Sequence, residues 1–574
     1  MAKKVIVGLV ATVLIGVVCA GAIIALVNST KKASSHSDDN SSSLSATSKS
    51  MTAMCSTALH KDSCESTISK LQTNSSATPN EVFKSFVDLA IKEFESAAQN
   101  SAEVTKAKLA AGNDTRTAAA VSDCKKFLDD ALEDMKGVSS LVGKDMKNLT
   151  AEADNIVHML SSSMTYLYTC VDGFEDPKLN ADMNNALNNA TEMSSNVLGV
   201  ITSIASFAEK LQSVDLGSLT SQGTNRKLLG YDMDKQGYPS WLSAGDRKLL
   251  QATTNSAKPN AVVAKDGSGQ YKTINDAVKA IPKNHPGRYV IYVKAGVYDE
   301  IVMVPKGTDN VLMYGDGADK SIVTGDKSNV KDKVTTRLTS TFSVEGANFI
   351  AKDMGFRNTA GAVNHQAVAL RISGDFGAFF KCRFDGFQDT LYTHAGRQFF
   401  RDCTVSGTID FIFGNSAVVF QNCVIICNLP MDNQLNTVTA HGRTDPNMKT
   451  GIVLQNCQFV ADKALEPVNT KIASYLGRPW KLYSRTVVME SSISDVIRPE
   501  GWVAWDGDFA LKTLYYAEYA NTGPGAATAG RVKWPTFHVI NKAVATQFTA
   551  GPFLNSNNWI ASTGVANYLG FNKA

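Results

Sequence analysis

CRFDGFQDTLYTHAGRQFFRDCTVSGTIDFIFGNSAVVFQNCVIIC, residues 382–427, repeats itself at a nearly constant interval. A cysteine stands at Cys382, at Cys403 and again at Cys423, each time in a similar local sequence. Short β-branched and aromatic runs alternate with polar turns at a period of about 21 residues, which is typical of a solenoid of stacked strands. Residues one period apart then lie above one another at about 4.8 Å. The stretch therefore predicts a stacked-strand domain.

Two aspartates, Asp389 in GFQDTLY and Asp410 in GTIDFIFG, are separated by the same interval as Cys382 and Cys403. Stacking would make their carboxyl groups neighbours, and two like charges that close do not ionise equally. One then stays protonated and serves as an acid while the other remains an anion, which is the division of labour that a hydrolase requires. Taken singly, each aspartate is better interpreted as a turn residue, because Asp bonds to backbone N–H groups in turns.

The 574-residue chain is too long for one ordinary domain, and its residue pattern changes along its length. Residues 31–50 form a Ser-rich linker, and residues 51–215 carry apolar residues at the spacings of three and four that indicate helices. Several such helices with few prolines predict an up-and-down four-helix bundle. Residues 256–574 show short β runs between Gly, Asp and Asn turns, and TINDAVKAI near the start of this range predicts a short helix that would cap the open end of the solenoid.

The two halves differ in charge. Residues 251–574 hold 33 basic and 26 acidic side chains, a net of +7, whereas residues 1–250 hold 24 and 28, a net of −4. A basic C-terminal half suits an anionic polymer, although ordinary scatter in composition accounts for the same contrast.

Residues 1–30 carry an export signal. An unbroken apolar run at residues 5–27 follows two lysines and is long enough to span a bilayer as a signal anchor. The small residues Ala20 and Ala22 equally suit a cleaved signal peptide, so both forms stay open. Either form predicts entry into the secretory route. Six glycosylation sequons, all before residue 250, agree with export: Asn28, Asn40, Asn74, Asn113, Asn148 and Asn189.

Residues 216–255 form a linker in which the tetrapeptide RKLL occurs twice, ending at Leu229 and at Leu250. A dibasic pair in exposed backbone is accessible to a processing protease. The linker therefore predicts proteolytic processing after Leu229 or Leu250, without indicating which site is used.

Export makes disulfides expected among the ten cysteines. The candidate pairs are Cys55–Cys64, Cys124–Cys170, Cys382–Cys403 and Cys423–Cys457. Cys427 is left without an assigned partner. No pair has zinc-finger spacing and the sequence contains no HExxH motif, so a zinc site is not expected.

Six motifs in order, KTINDAV, GVYDE, HQAVALR, GFQDTLY, GTIDFIFG and YLGRPW, resemble those of plant pectin methylesterases (pectinesterases) over roughly residues 258–570. The N-terminal half resembles, less closely, the pectin methylesterase inhibitor domain that such plant enzymes carry as a pro-region. The resemblance implies a right-handed parallel β-helix preceded by an all-α pro-domain. It also implies an aspartyl esterase mechanism and methyl-esterified homogalacturonan as the substrate.

The resemblance and the chemistry of the side chains together suggest roles for five residues. Asp410 would be the nucleophile that forms an acyl-enzyme, held and oriented by the guanidinium of Arg478. Asp389 would protonate the departing methanol and then activate water as a general base. Gln366 and Gln388 would offer amide N–H groups to the developing oxyanion.

Substrate binding is expected along an aromatic floor, on which sugar rings stack. The predicted substrate-binding residues are Thr336, Gln366, Arg478, Trp480, Tyr392, Phe413 and Trp502. Thr336 aligns with a family threonine that contacts substrate. For Tyr392, Phe413 and Trp502, packing in the core is a competing interpretation.

Two positions depart from the family pattern. Arg337 follows Thr336 where the family usually has an aromatic residue, and His441 stands in TAHGR where glutamine is more common. We expect Arg337 to alter binding near the cleft in favour of free carboxylates.

The leading hypothesis is a pectin methylesterase secreted to the plant cell wall and made as an inhibitor-fused precursor. Expected partners are pectin, a processing protease and pectin methylesterase inhibitor proteins. No cofactor, metal or nucleic acid is expected, and membrane contact is expected only through residues 5–27. One alternative is a glycosidase or lyase on the same scaffold, because paired carboxylates also serve glycosidases. Another is a catalytically idle binder whose helical half inhibits other esterases.

Overall fold

The computed structural model describes residues 53–71, 79–110, 114–142, 146–213, 258–283, 285–556 and 559–572. These residues form two compact units. The first contains the described parts of Met1–Asn100, Ala131–Met164 and Asn185–Asn225, and the second those of Ser101–Asp130, Thr165–Asn184 and Arg226–Ala574. The predicted export segment and both RKLL sequences lie outside the described residues. Within these ranges, no helix combines the length and the apolar character that a membrane crossing requires.

The N-terminal half is helical, as the spacing of its apolar residues predicts. Its helices are α1 Lys61–Leu71, α2 Pro79–Ala110, α3 Thr115–Leu141, α4 Met146–Asp172 and α5 Pro177–Ser213. In α2 the buried side chains recur at intervals of three and four, at Val82, Phe83, Phe86, Val87, Ala90 and Phe94. Such a pattern places one apolar face of the helix against the core. The predicted disulfides Cys55–Cys64 and Cys124–Cys170 are both confirmed.

The C-terminal half is a parallel β-helix built from three sheets. The eleven-stranded sheet contains β1 Ala261–Val263, β2 Tyr289–Val293, β5 Val311–Gly315, β8 Ile350–Lys352, β11 Gly377–Phe380, β14 Arg397–Arg401, β17 Ala417–Gln421, β20 Gly451–Gln455, β23 Arg485–Met489, β25 Tyr515–Tyr519 and β26 Phe537–Val539. The seven-stranded sheet contains β4 Val302–Val304, β7 Phe342–Val344, β10 Leu370–Ile372, β13 Leu391–Thr393, β16 Ile412–Gly414, β19 Asn436–His441 and β22 Ser474–Pro479. The eight-stranded sheet contains β3 Gly296–Asp299, β6 Ser321–Gly325, β9 Gly355–Asn358, β12 Arg383–Asp385, β15 Thr404–Gly407, β18 Val424–Cys427, β21 Gln458–Ala461 and β24 Ser492–Ile493.

The interval of the sequence repeat is the length of one coil. Leu370 pairs with Leu391, and Leu391 pairs with Ile412, so each of these steps along the seven-stranded sheet advances the chain by the interval that separates Asp389 from Asp410. The predicted stacking is therefore confirmed. The next step is longer, because Ile412 pairs with Thr439.

Stacked aromatic rings fill the interior of the coils. Phe379, Phe400 and Phe420 stack at centroid distances of 4.6 Å and lie in successive strands of the eleven-stranded sheet. This position thus carries the same side chain in three successive coils, and parallel stacking of such rings adds to the burial of apolar surface.

The predicted disulfides Cys382–Cys403 and Cys423–Cys457 are wrong, because these cysteines are free and buried. Each residue immediately precedes a strand of the eight-stranded sheet, so the four side chains form one column in the core. The Sγ atoms of Cys403, Cys423 and Cys457 contact backbone carbonyl oxygens two residues earlier, at 3.3–3.5 Å. The column is therefore a packed ladder of thiols. Cys427 is free and buried as well.

Short helices complete the domain: α6 Ile274–Lys279, α7 Asn329–Asp332, α8 Lys542–Thr546, α9 Ala550–Leu554 and α10 Ile560–Thr563. Four 3₁₀ helices in the described part span Thr336–Thr339, Ala362–Asn364, Glu466–Val468 and Pro524–Ala526. The Thr273 side chain caps α6, which buries Ile274, Ala277 and Val278. This confirms the predicted helix in TINDAVKAI, which packs in the same apolar core as β1 and β4.

Candidate active site

Asp389 and Asp410 occupy the same turn position in successive coils. Asp389 lies two residues before β13 and Asp410 two residues before β16, and the Asp389 N–H donates to the Ile409 carbonyl at 3.0 Å. Their φ angles are 63° and 51°, in the left-handed region that Asp tolerates better than most side chains. Both side chains are buried. The sequence period thus brings two carboxyl groups to one edge of the seven-stranded sheet.

The Asp410 carboxylate is held by two other side chains. Arg478 donates from Nε to Oδ1 at 2.9 Å and from Nη2 to Oδ2 at 2.8 Å. The Thr437 hydroxyl donates to Oδ1 at 2.6 Å and accepts from the Asp410 backbone N–H at 2.8 Å. Burial lowers the pKa of Arg478, but the hydrogen bond and charge of Asp410 outweigh it and the pKa is raised. The site therefore contains an oriented carboxylate.

Asp389 lies in a different electrostatic environment. Its pKa is raised well above the ordinary value, first because burial penalises the charged form and then because Asp410 is a neighbouring negative charge. The charge of Arg478 opposes this shift without reversing it. The two carboxyl groups therefore differ in environment: Arg478 and Thr437 bind Asp410, whereas burial and the charge of Asp410 raise the pKa of Asp389.

The two predicted amide donors lie one coil apart at the same edge. The Ala367 N–H, next to Gln366, donates to the Gln388 carbonyl oxygen at 3.2 Å. The Oε1 atom of Gln388 is buried and has no hydrogen-bond partner among the described residues. The Gln366 side chain is half-buried.

Three of the four predicted aromatic contacts form one cluster on the seven-stranded sheet. Tyr392 and Phe413 stack at 4.2 Å, and the ring of Trp480 meets Phe413 edge-on at 6.0 Å. Tyr392, Phe413 and Arg478 stand in one register column, in which Ala440 separates the last two. The aromatic floor therefore leads directly to the arginine that holds Asp410.

Trp502 is not part of this floor, and its position favours the competing interpretation of packing in the core. Its ring is 1% exposed, stacks on Tyr516 at 4.2 Å and donates from Nε1 to Glu518 at 3.3 Å in the core. Trp505, three residues later, is 37% exposed and lies 4.2 Å from the Arg478 guanidinium. A cation–π contact of this kind steadies the arginine.

The 3₁₀ helix Thr336–Thr339 carries Thr336 and Arg337. Arg337 belongs to a group of charged side chains together with Glu345 and Arg371. Arg337 Nη2 donates to Glu345 at 3.2 Å, and Glu345 also accepts from Arg371 at 2.9 Å. Burial raises the pKa of Glu345, but the charges of Arg371, Lys126 and Arg337 outweigh it and lower that pKa to about 2. Glu345 therefore remains an anion between its arginines.

Two helical segments of the second unit cover the aromatic floor. Thr169 of α4 forms a 2.9 Å hydrogen bond with His394 Nε2, and Tyr166 and Phe127 contact the same imidazole edge-on at 5.5 and 5.4 Å. A cavity here is lined by residues of α4 together with Tyr392, Asn415, Trp480 and Lys481. Burial and the neighbouring Arg371 hold the pKa of His394 well below its usual range. The imidazole is therefore neutral and serves as a contact for the helical segment.

Several residues of the site were missed at the sequence level. They are Thr437, Trp505, His394 and the helical residues Asp123, Phe127 and Thr169. Thr437 follows Asp410 after more than one regular coil, so the sequence period does not point to it. His441, the second departure from the family pattern, is buried and accepts from the Arg485 backbone N–H at 3.1 Å, and it takes no part in the site.

Comparison with known proteins agrees with this geometry. The pectinesterase family model matches residues 260–557, and the plant invertase/pectin methylesterase inhibitor family model matches residues 49–200. The chain belongs to the pectinesterase family. It is therefore an enzyme in which a pectinesterase catalytic domain follows an inhibitor-like helical region along the chain, as the sequence motifs predict.

Relatives with both regions resemble the chain along most of its length. Pectinesterase/pectinesterase inhibitor U1 of Solanum lycopersicum is 40% identical over 582 residues, covering 99% of this chain and 97% of that protein. Probable pectinesterase/pectinesterase inhibitor 58 of Arabidopsis thaliana is 42% identical, with 90% of each chain covered. Among solved structures, the pectin methylesterase from carrot is 51% identical, with a TM-score of 0.55, and matches 56% of this chain and 100% of its own. The pectinesterase fold of the C-terminal half is thereby confirmed.

Proposed function

We propose that residues 256–574 hydrolyse the methyl esters of homogalacturonan in the plant cell wall, with Asp410 as the nucleophile. The observation that carries the proposal is the difference between two stacked carboxyl groups. Asp410 is bound by Arg478 and Thr437, whereas burial and the charge of Asp410 raise the pKa of Asp389. A bound anion next to a buried acid is what attack on an ester requires.

In the first step, an oxygen of Asp410 attacks the ester carbonyl carbon and gives a tetrahedral oxyanion. Asp389 donates its proton to the methoxy oxygen, the C–O bond breaks, and methanol leaves an acyl-enzyme on Asp410. The amide N–H groups of Gln366 and Gln388 stabilise the oxyanion. Their position at one edge in adjacent coils supports this role.

In the second step, Asp389 is a carboxylate and removes a proton from water. The water oxygen attacks the acyl carbon, the bond to Asp410 breaks, and the galacturonate carboxylic acid is released and loses its proton to solvent. Asp389 ends the cycle protonated and Asp410 ends it ionised. The balance is one ester and one water converted to one carboxylic acid and one methanol, and no cofactor is needed.

Substrate binding follows the aromatic floor. Tyr392, Phe413 and Trp480 present a contiguous apolar surface in the register column that ends at Arg478. Sugar rings stack on such surfaces through their C–H faces, and Arg478 and Thr336 add polar contacts. Trp505 extends this surface beyond Arg478.

We further propose that the N-terminal region acts as an inhibitor-like pro-region. The support is the contact of α3 and α4 segments with the floor, including Thr169 on His394 and Asp172 on Lys481 at 2.6 Å. A covered floor excludes a polymeric substrate, so cleavage after Leu229 or Leu250 by a secretory protease would expose it. Export through residues 5–27, with glycosylation before residue 250, completes the proposed route to the wall. Separate pectin methylesterase inhibitor proteins would compete for the same exposed floor.

The decisive test is Asp410→Asn, assayed by methanol release from methyl-esterified pectin. We expect turnover below about 0.1% of wild type, because loss of a nucleophile removes the covalent path. Asp402→Asn is the matched control, since Asp402 also has a positive φ of 52° and precedes a strand two residues later, at another edge. Substantial turnover by Asp410→Asn would remove this residue from its role.

A further inference from the structure

Arg337, one of the two positions at which the chain departs from the family pattern, binds a carboxylate in this structure. Asp123 of α3 accepts from Arg337 Nη1 at 2.7 Å through Oδ1, and the Thr335 hydroxyl donates to its Oδ2. Two nearby side chains of the β-helix thus bind both oxygens of one carboxylate. Asp123, Thr335 and Arg337 are all largely buried, with Asp123 at 4% exposure.

The charges around Arg337 favour a bound anion. Arg337 and Arg371 share the single carboxylate of Glu345, so these three β-helix groups carry a net charge of +1. The Asp123 carboxylate of α3 balances this charge, and Lys126 of the same helix, which lies 3.1 Å from Glu345, is itself balanced by Asp130 at 2.7 Å. Without the helical segment, Arg337 would share only the carboxylate of Glu345, and its positive charge would not be balanced.

A flat ring accompanies this carboxylate. Phe127, four residues after Asp123 on α3, lies 5.7 Å from the Arg337 guanidinium and 5.9 Å from that of Arg371. Residues four apart on a helix lie on one face, so the helix presents a ring and an acid together. A galacturonate unit has the same two elements, a ring with flat C–H faces and a carboxylate.

Arg337 lies at a distance along the coils at which one polymer chain can contact both Arg337 and the reacting aspartates. Arg337 contacts Glu345, the residue that follows β7, and Asp410 lies two residues before β16. Strands β7, β10, β13 and β16 are consecutive neighbours, so three steps separate the two levels. At about 4.8 Å a step, the two levels are about 14 Å apart along the coil axis, which leaves room for intervening sugar units.

We propose that Arg337 and Thr335 form a subsite for the free carboxylate of an already demethylated galacturonate, and that Asp123 occupies this subsite in the precursor. The inference rests on the proposed function, because it concerns which pectin the same cleft prefers. A neutral methyl ester does not balance the charge of Arg337, and its carbonyl oxygen accepts a weaker hydrogen bond than a carboxylate does. The enzyme therefore prefers partly demethylated chains, with a free acid a few units from the ester that reacts.

The test compares two pectins of equal length, one fully and one about half methyl-esterified. The enzyme is the processed form collected from plant cells that express the full chain, and the measured quantity is the ratio of kcat/KM on the two pectins. We expect wild type to favour the half-esterified pectin and Arg337→Gln to lower this ratio about tenfold, because a charge-assisted hydrogen bond is lost. Thr335→Val, which keeps the side-chain shape, should lower it about threefold.

Lys279→Gln, an exposed basic-to-neutral change on α6, is the control for charge alone and should leave the ratio at the wild-type value. An unchanged ratio in both Arg337→Gln and Thr335→Val overturns the subsite. If wild type releases no methanol from either pectin, the proposed function fails instead. Calorimetric titration with unesterified oligogalacturonate then decides the subsite independently, since equal affinities of wild type and Arg337→Gln overturn it.

Discussion

Arg478 binds Asp410 through two parallel hydrogen bonds, Nε to Oδ1 at 2.9 Å and Nη2 to Oδ2 at 2.8 Å, although the two residues are 68 positions apart in the chain. The arginine stands on β22 and the aspartate in the turn before β16, and only β19 separates these two strands in the sheet. A planar guanidinium matches both carboxylate oxygens at once, which fixes the direction of attack as well as the charge.

Arg478→Lys should therefore lower kcat about 100-fold while the positive charge remains, because a single ammonium cannot orient both oxygens and small misplacements are costly. Methanol release on pectin gives kcat. Arg397→Lys is the matched control, since Arg397 forms a similar fork with Asp375 at 3.1 and 2.6 Å in the eleven-stranded sheet. That control should lose stability and keep its kcat. Equal kcat values for the two variants would show that the fork at Asp410 has no role in turnover.

Thr437→Val should lower kcat about tenfold, because the hydroxyl connects the Asp410 carboxylate to the Asp410 backbone N–H. The substitution keeps the side-chain shape, so we expect a small change in Tm. The measurement is kcat together with the Tm of the same preparation. A variant with full kcat would mean that Arg478 alone orients the nucleophile.

Asp389→Asn should abolish methanol release and change stability in a pH-dependent manner. The folded-state pKa of Asp389 is raised, so wild type loses stability as pH rises from about 4, the ordinary carboxyl pKa, to the raised value. Asparagine does not titrate and avoids this loss. The Tm of the variant relative to wild type should therefore rise through that window and stay constant above it. A Tm difference that is independent of pH would contradict the assigned protonation.

A full chain in which both RKLL sequences are changed to block cleavage should release little methanol. Adding Asp123→Asn to this uncut chain should increase methanol release severalfold, because the bond to Arg337 is charge-assisted on both sides. Asp129→Asn, a change of another acidic residue on α3, is the control. Equal activity of the uncut and processed wild-type enzymes would show that the helical region serves folding or retention and does not inhibit.

Much of the site followed from the period of the sequence. Since one coil has the length that separates Asp389 from Asp410, these two residues had to stack, and so did Tyr392 and Phe413 on the strands that follow them. Where the coil length changes, the period no longer predicts which residues stack on one another. Thr437 was missed for this reason. The sequence also did not indicate that Trp505, and not Trp502, lies beside Arg478, because the direction of each ring depends on the path of an irregular loop.

The sequence by itself determined the stacked coils, the pairing of the two aspartates and the division into a helical and a β half, because these follow from local period and composition. Only the tertiary structure decided that the Cys382, Cys403, Cys423 and Cys457 column is a ladder of thiols, that Trp505 accompanies Arg478, and that Asp123 fills the place beside Arg337. The physical reason is that these contacts join residues whose distance in the chain does not set their distance in space. Their side-chain directions are set by packing against many neighbours at once.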